Sequence, residues 1–179
     1  MSVRTSRLEG VVEIELRSFA DDRGRFMELY REDRYREIGV DLPFVQDNFS
    51  VSKRHVLRGL HYQIVQPQGK LVTVLKGAVL DVVVDMRRSS PTFGEFDRFE
   101  LSEENRRQLY VPPGFAHGFL ALAEENVVMY KCTDLYSPPH ERTLIWNDPA
   151  LGIDWPTTEP LVSPKDALGK TLAEAETFA

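Results

Sequence analysis

Apolar and polar positions alternate in short runs along most of this chain. Val11–Leu16 (VVEIEL) sets apolar residues against acidic ones, the pattern of a strand with one buried face. Asp21–Glu28 reads as a turn around Gly24 followed by a strand, and Val45–Ser52 alternates again after the break at Pro43. Leu71–Leu75 and Ala78–Met86 are rich in Val and Leu, and Lys76–Gly77 between them makes a tight turn. Glu95–Leu101, Gln108–Val111, Gly118–Ala123, Val127–Thr133 and Arg142–Trp146 continue the series. Helical signals are few. Arg31–Ile38 reads as a short helix stopped at Gly39. Ser163–Lys170 reads as another, with Ser163 as N-cap, Pro164 in the first position and Asp166 completing a pattern like a capping box.

About ten short strands separated by turn signals predict an all-β sandwich or barrel with a few short helices. No internal repeat, low-complexity tract or linker interrupts the pattern, so residues 1–179 read as a single domain with its core at about 8–174. Val11–Leu16 reads as an edge strand, the kind of element that pairs with a second copy.

Composition narrows the function. A formal net charge of −6 argues against a nucleic-acid partner, whose binders carry a basic face. It leaves room for an anionic small ligand, because a local cluster of Arg and Lys overrides the global sign. Cys132 is the only cysteine, which excludes an intrachain disulfide and points to a reducing cytoplasm. The first ten residues have no apolar signal-like region, and no apolar run reaches the length of a membrane span.

Two stretches hold polar groups where a β core should be apolar. Val56–Lys70 (VLRGLHYQIVQPQGK) places Arg58, His61 and Lys70 among apolar residues, and Tyr110–Phe119 (YVPPGFAHGF) places His117 after a Pro-Pro-Gly turn. Such groups are costly in a core unless they are paired or used. His61, with an unperturbed pKa near ~6.5, suits proton abstraction next to a carbonyl. Lys70 or His117 suits the developing enolate oxygen, and Tyr130 is a candidate acid. On residues alone, His117 fits a turn cap as well as a ligand contact. Tyr130 fits a core aromatic, Lys70 a snorkelling strand end, Asp166 a helix-terminus carboxylate, and Arg23 with Glu28 a surface ion pair. His55 and His140 have no accompanying motif and read as structural, and Cys132 reads as a small core filler.

The two stretches together resemble the paired motifs of the cupin superfamily, which implies a cupin or jelly-roll β-barrel. Metal-binding cupins carry His-x-His and a downstream glutamate in the first motif. Here that motif reads His61-Tyr62-Gln63, and Lys70 stands at the glutamate position. An ammonium beside imidazoles repels a divalent cation, so no metal is expected.

The resemblance sharpens over about Leu8–Glu174. Asp22–Glu28 (DRGRFME), Gln46-Asp47-Asn48, VLRGLHYQ, QGKLV, DVVVDMRRSSPTFG, VPPGFAHGF, YKCTDLYSP, Glu141, WNDPALGIDWP and SPKD occur in this order. Together they are similar to the dTDP-4-dehydrorhamnose 3,5-epimerase family. The resemblance implies His61 as general base, Asp166 as its carboxylate partner, Tyr130 as general acid, and Lys70 as the residue holding the C4 oxygen. It also implies nucleotide-sugar contacts from Arg23, Glu28, Gln46, Asp47, Asn48, Arg58, Lys70, His117, Glu141 and Lys165, with Tyr136 stacking on thymine. The implied substrate is a dTDP-4-keto-6-deoxy sugar and the implied assembly a homodimer in which one chain completes the other's pocket. No redox cofactor is expected, because the ketone is present before and after the reaction. The rivals are an epimerase of a single centre, a related enzyme for another nucleotide, a metal-dependent cupin oxygenase, and a non-catalytic sugar-nucleotide binder.

Overall fold

The computed structural model describes residues 1–179. The strands are β1 (Ser2–Thr5), β2 (Val12–Glu15), β3 (Ser18–Asp21), β4 (Gly24–Met27), β5 (Gln46–Lys53), β6 (Val56–Gln63) and β7 (Lys70–Lys76). They continue as β8 (Ala78–Asp85), β9 (Phe96–Ser102), β10 (Arg107–Val111), β11 (Phe115–Ala121), β12 (Glu125–Cys132), β13 (Glu141–Thr143) and β14 (Leu161–Val162). Two short helices complete the list, α1 (Glu32–Arg36) and α2 (Pro164–Ala167). No helix is long and apolar enough to cross a membrane.

The strands form a jelly-roll sandwich. One sheet runs β1-β2-β10-β7-β12-β5, and the facing sheet runs β13-β6-β11-β8-β9 with β14 added in parallel to β6. Strand alternation sorts the side chains into three apolar layers. Val72, Val74, Leu109, Val111, Val128, Val79, Val83, Phe115 and Phe119 fill the space between the sheets. Ile14, Leu71, Tyr110 and the α1 region with Tyr35 and Val40 cover the outer face of the first sheet. Leu57, Leu60, Tyr62, Met86, Leu120 and Leu144 meet Leu151, Trp155 and Ala175 on the outer face of the second.

Several expectations need correction. Val11–Leu16 is not an edge: β2 pairs with both β1 and β10, and Val12, Ile14 and Leu16 are buried. The edge is β1, whose four residues SVRT are all exposed; a strand held only by its backbone leaves no alternation to read. His117 lies inside β11, not at a turn, because β11 begins directly after Gly114 and every one of its residues is buried. The helix expected over Arg31–Ile38 is confined to α1, and that over Ser163–Lys170 to α2. Arg142–Trp146 keeps only a short ladder against β6. The β3–β4 hairpin stands apart from both sheets, with Phe19 and Phe26 paired in register and both exposed.

The feature that most directly shapes the site is the crossing of β6 and β11. Gly59 takes φ +129°, and a Cβ added there would lie 2.6 Å from Gly118 Cα. A Cβ on Gly118 would lie 2.5 Å from the carbonyl oxygen of Arg58. Only two glycines allow the strands to come this close. The register shifts at this crossing, between the pairs His117–His61 and Phe119–Arg58. Gly118→Ala is expected to destabilise the fold by about 1–3 kcal/mol, the usual effect of overpacking. Urea titration of the variant against the wild-type protein measures it.

Candidate active site

A cavity of about 570 Å³ opens between the two sheets at the end where β5, β6, β7 and β12 meet. Its two walls belong to different sheets. Arg58, His61 and His117 come from β6 and β11, while Asn48, Lys70 and Tyr130 come from β5, β7 and β12. Tyr136, Glu141, Ser163, Lys165 and Asp166 line it from the loops, β13 and α2.

His61 and Asp166 form a close pair at the site, with Nε2 2.6 Å from Oδ1. Asp166 is brought there by α2. Its own N–H donates to Ser163 Oγ at 3.1 Å, which fixes the start of the helix as the sequence predicts. The capping-box pattern stops there. The Asp166 carboxylate turns to His61 and accepts the Gly59 N–H at 3.3 Å. Burial pushes the Asp166 carboxyl up, but the hydrogen bond and charge of His61, with Gly59 and Ser163, outweigh it and hold the group below its ordinary value. An ionised partner on one ring nitrogen leaves the other as the site for proton transfer.

Lys70 donates to the His61 carbonyl oxygen at 3.3 Å. Burial pushes its pKa down, and the neighbouring Cys132, Asp81 and Glu141 resist. Tyr130 packs against the core between the sheets. Its phenol is pushed up by burial, with Cys132 and Glu141 adding to the shift and Arg58 opposing it, so it carries its proton at neutral pH. Arg58 is fixed by Ser52 Oγ at 3.0 Å and the Val51 carbonyl at 3.2 Å.

Glu141 ties the mouth together, accepting Lys165 Nζ at 2.5 Å and the Tyr136 hydroxyl at 2.7 Å. Burial raises its pKa, but Lys165 and Tyr136 outweigh that and hold it low. Gln46 accepts the Tyr136 N–H at 2.8 Å and donates to Asn48 at 3.0 Å. His117 Nε2 lies 2.9 Å from each oxygen of Asp81. No three His, Cys, Asp or Glu side chains group as metal ligands.

Three residues expected at the site do not line this cavity. Asp47 alternates to the opposite face of β5 from Gln46 and Asn48 and pairs with Lys131 at 2.7 Å. Arg23 pairs with Asp21 at 2.6 Å in the β3–β4 turn, and Glu28 with Arg34 at 2.7 Å. Arg23 and Glu28 therefore do not form the surface pair with each other that their spacing suggested. Asp81 went unread in the sequence, although a carboxylate at an inward position of the strand AVLDVVVD was a visible signal. Gln63, which accepts the Ser137 N–H at 2.8 Å and so holds the 136–137 loop, was also missed.

The comparisons agree over the whole chain. A family model described as dTDP-4-dehydrorhamnose 3,5-epimerase matches residues 5–174. The chain is 54% identical to a protein of that name from Pseudomonas aeruginosa, covering 94% of each. It is 52% identical to one from Neisseria gonorrhoeae, where it is covered completely but spans only 55% of that longer protein. The crystal structure of the dTDP-6-deoxy-D-glucose-3,5-epimerase from Legionella pneumophila, in complex with dTDP-4-keto-L-rhamnose, superposes with a TM-score of 0.95 at 47% identity, over 98% of this chain and 94% of that one. A dTDP-4-dehydrorhamnose 3-epimerase from Streptomyces niveus is 45% identical over 98% of this chain and 86% of its own length.

The His61–Asp166 pair gives a pH-dependent term in stability. The folded-state pKa of Asp166 lies below its unfolded value, so the pairing contributes fully above the unfolded carboxyl pKa of about 3.9 and is lost as pH falls through the lower folded value. Asp166→Asn is expected to remove that loss and flatten the acid side of a plot of Tm against pH. An acid limb unchanged from wild type would show that the pairing contributes nothing.

Proposed function

The chain belongs to the dTDP-4-dehydrorhamnose 3,5-epimerase family, and from that premise we propose that His61 and Tyr130 work from opposite walls of the cavity to epimerise a dTDP-4-keto-6-deoxy sugar. The reaction inverts C3 and C5 of dTDP-4-dehydro-6-deoxy-D-glucose and yields dTDP-4-dehydro-L-rhamnose. The observation that carries the reading is the placement of the base on one sheet and the acid on the other.

The C4 ketone acidifies the protons on both neighbouring carbons. His61 takes the proton, the C–H electron pair moves into the ring, and negative charge gathers on the C4 oxygen. Lys70 meets that charge in a water-poor site, where an ammonium stabilises it far more than in bulk water. Tyr130 then returns a proton to the opposite face, and the carbon is inverted. Exchange with solvent restores His61 and Tyr130 before the second centre reacts. The ketone re-forms each time, so the chemistry calls for no redox cofactor.

Arg58 and Lys165 suit the diphosphate, and Tyr136 suits the thymine. Arg23 and Glu28 stand outside their own chain's cavity on an exposed hairpin that carries Phe19 and Phe26. We propose that this hairpin pairs with a second copy and completes its pocket. Phe26→Ser is expected to shift the dimer toward monomer in sedimentation velocity, and a sedimentation coefficient equal to wild type would overturn that assignment.

Proton NMR of the substrate with the protein in heavy water tests the chemistry. Deuterium is expected at both C3 and C5, and His61→Ala and Tyr130→Phe are each expected to lower turnover by about 10²–10⁴-fold. Deuterium at one carbon alone would make the protein a single-centre epimerase. Tight binding with no exchange would make it a binder.

A further inference from the structure

Asp81 is fully buried, and the only hydrogen-bond partner of its carboxylate is His117 Nε2. A carboxylate taken out of water needs more compensation than one shared donor supplies, unless another charge balances it. Lys70 is the cation of the same interior. Its Nζ lies 3.3 Å from the carbonyl oxygen of His61, and His61 is the register partner of His117. A buried ammonium has the opposite need.

The other groups around Lys70 do not meet it. From β12 come Tyr130, a protonated phenol, and Cys132, the register partner of Lys70, whose thiol is pushed up by burial and so stays neutral. From β13 comes Glu141, already committed to Lys165 at 2.5 Å and Tyr136 at 2.7 Å. From β6 comes only the His61 carbonyl, whose imidazole is held by Asp166. From β8, by way of His117 on β11, comes Asp81, the one carboxylate here with no cationic side chain of its own beyond the imidazole. We propose that Asp81 is a positioning residue for Lys70: its buried carboxylate, anchored by His117, keeps Lys70 an ammonium ion in the cavity. The charge of Asp81 raises the Lys70 pKa against the effect of burial, in agreement with this. The same hydrogen bond fixes the imidazole and leaves Nδ1 of His117 without a partner in the chain.

The use of this charge rests on the epimerase reading; its existence does not. The test is a pH titration of the substrate-free protein carrying 13C-labelled lysine, with the Lys70 signal assigned by its loss in Lys70→Arg. The wild-type midpoint is expected above pH 7, and Asp81→Asn is expected to lower it by about one pH unit or more. His117→Gln, which keeps a donor for Asp81 and leaves the carboxylate charged, is expected to stay near wild type. A midpoint that does not move in folded Asp81→Asn, or that falls equally in His117→Gln, would overturn the proposal. So would a wild-type lysine already neutral at pH 7, a result that needs no variant to fold. Because no substrate is present, failure here leaves the epimerase intact. Absence of deuterium exchange would conversely refute the epimerase without touching the titration.

Discussion

The close approach of Gly59 to Gly118 is the constraint on which the site depends. Ordinary side chains at either position would push β6 and β11 apart, since the added carbons would lie 2.5–2.6 Å from the facing backbone. With the strands together, His61 stands beside His117 in register. The same stretch of β6 leaves the Gly59 N–H free to donate to Asp166. One backbone crossing thus positions His61, orients Asp166 and brings up the second imidazole.

The cavity shows how a β-sandwich tolerates charge in its interior. The register shift between β6 and β11 brings His61 and the exposed Arg58, three residues apart, to the same cavity as Lys70 and His117, with Asp81 buried behind His117. Several ionisable groups around the cavity have specific partners. Asp166 has His61 and the Gly59 N–H, Glu141 has Lys165 and Tyr136, and Arg58 has Ser52 and Val51. A half-satisfied network would be worse than an apolar core, so these partners are as much a condition of folding as of chemistry.

The sequence made the inward-facing pattern legible because period-two alternation survives burial on both faces. His61, Lys70 and Tyr130 stood out as polar or phenolic groups on apolar strands, and all three line one cavity. The pairing of His61 with Asp166 was not readable from spacing, since 105 residues separate them and only the docking of α2 brings them together. There the family resemblance supplied what periodicity lacked. β1 escaped notice because an all-exposed strand has no pattern. Asp47 does not line its own chain's cavity, because motif likeness ignores which face of β5 a side chain takes and alternation puts it opposite Gln46 and Asn48.

The long reach from His61 to Asp166 also sets an order on assembly. β8 pairs with β9, the next strand in the chain, and with β11, whereas Asp166 is carried back to the second sheet from beyond β14. What holds it there is the tail beyond α2. Lys170 bridges Leu144, Tyr62 donates its hydroxyl to the Glu176 carbonyl at 2.5 Å, Arg142 pairs with Glu176 at 2.8 Å, and Phe178 bonds to Met86. These contacts lie on the outer face of β6, one residue from His61 on the inner face. Loop closure over such a separation is entropically costly until the sheet exists to receive it. His61 is therefore built into the sheet, while Asp166 arrives with the tail, and the pair exists only once the whole chain has packed.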